Sequence, residues 1–197
     1  MRILGITGAP GAGKSTFASA YVDAADEAAV HVPMDGFHLA DVTLRRLGIL
    51  DRKGAPETFD AWGYAALLAR IRTAEVTVFA PGFERDLEQP LAGVIAVPPE
   101  TELVVTEGNY LLLGSPEWRA VRAELDEVWF VHVDDELRRE RLVARHVASG
   151  KAPEAAREWV DRVDEVNARA VEATRAAADR VVDLTGWQPA TASAHRW

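Results

Sequence analysis

The stretch Ile6-Thr7-Gly8-Ala9-Pro10-Gly11-Ala12-Gly13-Lys14-Ser15-Thr16, ITGAPGAGKST, decides the reading of this chain. It follows a short apolar run, Arg2 to Thr7, which is bounded by glycine and reads as a buried strand. Residues 8 to 15 fit G-x-x-x-x-G-K-[ST], the phosphate-binding loop. Glycine lets the backbone curl so that successive N–H groups point inward at phosphate oxygens. A helix starting near Gly13 adds the positive end of its dipole. In that geometry Gly8 to Gly13, Lys14, Ser15 and Thr16 form the nucleotide cradle. Lys14 reaches the β- and γ-phosphates, and the Ser15 hydroxyl ligates Mg²⁺.

Outward from this loop, strands and helices alternate. Residues 28–35, 76–83, 102–108, 127–133 and 180–184 read as strands, and 93–99 as a short extended piece broken by its prolines. Helices are expected over about 15–25, 41–48, 61–72 and 116–125, with two long ones over about 135–149 and 153–178. Such alternation predicts an α/β fold: a mostly parallel sheet with helices on both faces. No linker or repeat divides it, so residues 1–187 are read as one domain with a lid over about 135–152, and 188–197 as a loose tail.

Composition narrows the options. The 197 residues carry 22 Lys and Arg against 31 Asp and Glu, a net charge of -9, which argues against nucleic acid as partner. With no cysteine, disulfides, thiolate zinc sites and cysteine nucleophiles are excluded. No apolar run approaches the roughly 18 residues of a membrane span, and the amino terminus lacks a signal-peptide pattern, so no membrane partner and a cytoplasmic location are expected.

A phosphate-binding loop alone does not separate kinases from GTPase switches and ATPase motors. The guanine-reading N-K-x-D is missing, since Asn109 and Asn167 precede Tyr and Ala. Asp51-Arg52-Lys53-Gly54 imitates a switch D-x-x-G but follows a short helix and opens a loop. Glu107 ends the strand 102–108 and suits a magnesium-side acid; the competing reading is a solvent-facing strand end. Asp35 ends the second strand at the sheet's carboxyl edge, where ligands bind in open α/β folds. A carboxylate there can accept the proton of an attacking hydroxyl. It could instead cap the next helix, although Asp41 is the better cap.

Together GAPGAGKST, PMDGFHL, KGAPETFD, PGFERDLEQP and VVTEGNYLLL resemble the phosphoribulokinase/uridine kinase superfamily over about residues 2–184. Within it they are similar to the branch of pantothenate kinase-like and fructose-transport-system kinases. The resemblance implies a three-layer P-loop NTPase fold with a helical lid, and an ATP- and Mg²⁺-dependent kinase. It implies Asp35 as base, Glu107 as the strand-end acid, and Asp60 and Arg85 near the acceptor. The chain lacks both the tyrosine-histidine signature of pantothenate kinases and the aspartate-serine-phenylalanine-tyrosine form of uridine kinases. The acceptor, a small-molecule alcohol, therefore stays open, and so does a homodimer.

Read on their own, several of these residues keep a second explanation. Arg85 could pair with Glu84 or Asp86, Asp60 could cap the helix at Ala61, and His38 could bond a substrate hydroxyl or face solvent. In the expected lid, Arg138, Arg141 and Arg145 share a helix face. That row suits a γ-phosphoryl group in transfer, and the resemblance favours Arg141 and Arg145; a solvated face balanced by neighbouring acids is the alternative for Arg138. Trp159, Val163, Val166 and Ala170 stand at helical spacing and read as core packing. The other class of function is a nucleotide-binding regulatory module with only slow hydrolysis.

Overall fold

A computed structural model of the chain describes residues 1–189. The expected loose tail thus lies, from residue 190 on, outside the described residues. At the centre is β1 (Arg2–Thr7), whose last five residues are buried. It runs parallel to β5 (Leu103–Glu107) on one side and β6 (Glu127–His132) on the other. β2 (Ala29–Pro33) and β7 (Arg180–Asp183) complete a five-stranded parallel sheet in the order β2-β5-β1-β6-β7.

Alternation along β1 sorts the two faces. Ile3 packs with Tyr64 and Leu68 of α3 (Ala61–Thr73) and Trp118 and Val121 of α4 (Pro116–Ala123). Leu4 and Ile6 point the other way, to Ala18 and Phe17 of α1 (Lys14–Asp23). Both faces of the central strands are covered, so β5 is buried along its whole length and β1 along all but its first residue. Trp118 is 1% exposed; cutting such a side chain back to alanine costs about 3–5 kcal/mol.

Helix starts follow local chemistry. Asp60 caps α3 by accepting from the Gly63 N–H at 2.8 Å. Asp134 caps α5 (Asp135–Ala148) by accepting from Glu136 and Leu137. α2 (Asp41–Leu47) departs from expectation, because Asp41 makes no cap bond and instead accepts from Lys53 Nζ at 2.7 Å.

Two larger differences stand out. β3 (Val78–Glu84) does not join the parallel sheet. It pairs antiparallel with β4 (Gln89–Val97), a longer strand than the short piece expected, in a separate two-stranded sheet. The expected long helix over 153–178 is instead α6 (Pro153–Trp159), a π-turn (Val160–Asp164) and α7 (Glu165–Glu172). Among the described residues, no helix is long and apolar enough to cross a membrane.

Candidate active site

The carboxyl edge of the sheet gathers the site, as the topology demands. β1 runs into the phosphate loop, β2 into a 3₁₀ turn (Met34–Phe37) that carries Asp35, and β5 ends on Glu107. Glu107 is in register with Ile6 on one side and Pro33 on the other, so it sits between loop and turn. The Thr106 hydroxyl donates to Val32 O at 2.5 Å and is itself bonded to the Tyr64 hydroxyl, which locks this edge from below.

The loop's shape depends on its glycines. A Cβ on Gly8 would stand 2.2 Å from Val131 O, and one on Gly11 2.7 Å from Arg138 O. Gly13 has φ 88°, which starts α1 directly at Lys14. Lys14 is 8% exposed, and its ammonium donates to Ala9 O at 3.1 Å. Burial pulls its pKa down to about 8, against the charges of Glu107 and Asp35, while Arg145 and Arg138 lower it further. An ammonium has three donors, and this is the one hydrogen bond found for it among the described residues. A phosphate oxygen inside the curled loop would supply the missing partners, so the residues present fit a nucleotide triphosphate.

Ser15 Oγ donates to Glu107 Oε1 at 2.9 Å. Glu107 is 4% exposed, which removes the solvent-facing alternative. Burial, and next the charge of Asp35, push its pKa up to about 7, with Lys14, Ser15 and Arg85 pulling it back. These two hard oxygens suit Mg²⁺, which takes its remaining ligands from phosphate and water.

Across the cleft, Arg85 reaches Asp35 at 3.9 Å, rather than Glu84 or Asp86. His38 does not face solvent. Its ring lies 4.0 Å from Phe59 and 4.9 Å from Phe83, and Nδ1 is 2.9 Å from Asp35 O. Burial lowers its pKa. Asp60 is a correction: it caps α3 and is absent from the cleft wall, which its neighbour Phe59 lines instead. Lys53, which composition and pattern did not single out, joins the wall, held by Asp41 and by Glu88 O at 2.6 Å.

The lid arginines separate. Arg138 is 4% exposed and bonded to Asp135, Glu165 and Pro10 O, so it braces the phosphate loop and does not belong to a free cationic row. Arg141 has its guanidinium 3.5 Å from where a Gly13 Cβ would stand, outside the cleft wall; Arg145 lines the cleft. The apolar stripe is a further correction. Trp159 and Val163 line the cleft, and Val166 is 51% exposed. The π-turn adds a residue to the helical repeat, so the buried positions become Val160, Asp164, Asn167, Ala168 and Val171. Periodicity alone did not reveal His146, Asp164 and Asn167, which line the same cleft of about 330 Å³.

No family model matches the sequence. Similar proteins do. The ATP-dependent kinase-like protein notR' of Aspergillus versicolor is 40% identical over 131 residues, 62% of this chain and 76% of that protein. A Schizosaccharomyces pombe protein provisionally named uridine kinase is 32% identical over 194 residues, 91% of this chain and 82% of its own. Among solved structures, a protein of Silicibacter sp. TM1040 provisionally named fructose transport system kinase superposes with TM-score 0.83 at 38% identity, covering 92% of this chain and 89% of the other. With the phosphate loop and the parallel sheet already in hand, these likenesses agree on one assignment: the chain belongs to the phosphoribulokinase/uridine kinase superfamily of P-loop kinases.

Proposed function

We propose that this kinase transfers the γ-phosphoryl group of ATP, with Mg²⁺, to a hydroxyl of a small metabolite, within the range of sugars, nucleosides and pantothenate-like alcohols. The observation that carries the reading is one cleft lined by Lys14, Ser15 and Glu107 on the phosphate side and by Asp35 and Arg85 on the other. Lys14 and the loop amides hold the phosphates. Ser15 and Glu107 would hold Mg²⁺, which would supply positive charge to offset that of the phosphate oxygens. Asp35 accepts the acceptor's hydroxyl proton, and the freed oxygen pair forms the new bond to the γ-phosphorus. The bond from that phosphorus to the β-γ bridging oxygen breaks, and ADP leaves. Arg145 neutralises charge on the group in transit. Arg141, which the resemblance sets beside Arg145 at the γ-phosphoryl group, stands near Gly13 and takes no step in this reading.

A purely regulatory nucleotide-binding module has no use for a carboxylate–arginine pair facing the nucleotide, so the kinase reading is preferred. The test incubates the pure protein with Mg-ATP and pooled candidate alcohols. Acceptor-dependent ADP release supports the reading, and slow ADP release indifferent to every acceptor defeats it.

A further inference from the structure

Two buried side-chain nitrogens have no hydrogen-bond partner among the described residues, Trp118 Nε1 and His31 Nε2. Trp118 is packed into the core against Phe59 and Tyr110. His31 stands elsewhere, 3.9 Å from the Glu107 carboxylate. A buried N–H without an acceptor costs free energy, so an orphan beside a functional carboxylate calls for a physical reason.

Strand register puts the ring there. On β2, His31 is opposite Val105 of β5, and Pro33 is opposite Glu107. Residues two apart on a strand share a face, so His31, Val105 and Glu107 all turn toward α1, where Val105 packs with Ala18. Ser15 and Ser19 stand one turn apart on that helix. Ser15 Oγ donates to Glu107 Oε1 at 2.9 Å, and His31 Nε2 lies 3.9 Å from the same oxygen. On the other side of the ring, Ser19 Oγ is 3.4 Å from Nδ1. Glu107 lines the cleft, and His31 backs it from outside the cleft wall.

A neutral imidazole donates from one nitrogen and accepts at the other. With the Ser19 hydroxyl donating to Nδ1, the ring proton sits on Nε2 and faces Glu107. Burial pulls the His31 pKa down to about 4, against the charge of Asp35, which keeps the ring neutral with that single N–H. At 3.9 Å the N–H does not bond the carboxylate, but a shift of about 1 Å brings it into range. Hydrogen bonds in a catalytic site commonly tighten in this way once a ligand is bound. Carboxylates that hold a metal are as a rule hydrogen-bonded in turn, and losing such an outer partner weakens metal affinity about 10- to 100-fold.

We propose that His31 is a positioning residue: in the nucleotide-bound protein its Nε2–H donates to Glu107 Oε1 and, with Ser15, fixes the carboxylate in the orientation that would hold Mg²⁺. Ser19 sets the tautomer. The inference rests on the kinase reading, and within it on the assignment of Glu107 to the metal. Calorimetry tests it by titrating the non-hydrolysable β,γ-imido analogue of ATP into the protein, once with Mg²⁺ and once with EDTA. In the parent, Mg²⁺ is expected to tighten binding. His31→Phe should reduce that tightening about tenfold and leave the metal-free affinity within about twofold. His31→Gln, whose carboxamide N–H reaches the place of Nε2, should restore most of it. Ser19→Ala, on the exposed side of α1, should reduce it about threefold, and thermal melts confirm folding. Tightening unchanged in His31→Phe overturns the proposal, as does tightening unchanged in Ser19→Ala should His31→Phe fail to fold. A loss that His31→Gln does not reverse also overturns it. Each of these leaves the kinase reading standing, since acceptor-dependent ADP release is measured separately. A parent whose affinity for the analogue ignores Mg²⁺ overturns the proposal together with the metal assignment.

Discussion

Ser15 and Glu107, 92 residues apart in the chain, are joined by a 2.9 Å hydrogen bond from the Ser15 hydroxyl to Glu107 Oε1. The bond ties the first turn of α1 to the end of β5. It aligns two oxygens beside a buried lysine, at a strand end that neighbours both the phosphate loop and the Asp35 turn in the parallel sheet.

Replacing Lys14 by alanine is expected to lower kcat/KM about 10²- to 10³-fold, the scale set by removing one preorganised donor at developing charge. The fold should persist, because the ammonium is already penalised by burial. A coupled ADP assay and a thermal melt read the two effects separately.

Asp35→Asn keeps the shape of the turn and removes the proton acceptor. Transfer to the acceptor should fall about 10²- to 10⁴-fold, with ATP affinity within about twofold by equilibrium binding. Undiminished transfer would remove Asp35 from the mechanism.

Gly36 lies under the hairpin, and a Cβ there would meet Pro81 O at 2.4 Å. The obstacle is backbone and cannot rotate away. Gly36→Ala should therefore destabilise by about 1–3 kcal/mol and displace Arg85 from Asp35, lowering both Tm and kcat. Gly108→Ala meets Met34 Sδ at the same 2.4 Å and its Cβ, which cannot turn away, at 2.7 Å in a fully buried side chain, so it should also destabilise.

Burial holds the His38 pKa below its ordinary 6.5, against the pull of Asp35 and Glu88 and with Lys53 lowering it further. The unfolded chain takes up the proton first. The contribution of neutral His38 to stability is thus whole above about pH 6.5 and is lost as the pH falls through the lower folded value. Between pH 7.5 and 5 this acts against the proton uptake of Glu107, whose raised pKa of about 7 favours the folded state on acidification, so His38→Phe, which keeps an aromatic ring against Phe59 and Phe83, should lose less Tm (or gain more) over that range than the parent. An equal change of Tm with pH in parent and variant would refute the assignment.

Arg138→Ala removes a guanidinium that bonds Glu165, Asp135 and the carbonyl of Pro10. Arg139 remains 3.2 Å from Glu165, so that carboxylate is not abandoned. A loss of about 2–4 kcal/mol is expected in chemical denaturation, with weaker ATP binding because the loop loses its brace. Arg145→Ala, by contrast, should reduce kcat with little change in stability.

Much of this protein is written in short contiguous segments. The glycine spacing from Gly8 to Gly13 determined the phosphate loop, apolar runs determined the five parallel strands, and strand-end position marked Asp35 and Glu107. Each of these signals needs only neighbours in sequence, because curl, periodicity and capping are local properties of the chain. Tertiary structure alone decided the rest. It buried Arg138 against Glu165, paired β3 with β4 away from the main sheet, and brought His146, Asp164 and Asn167 to the cleft. Those outcomes depend on which distant surfaces meet and on a π-turn that shifts the helical phase, and neither is set by local spacing.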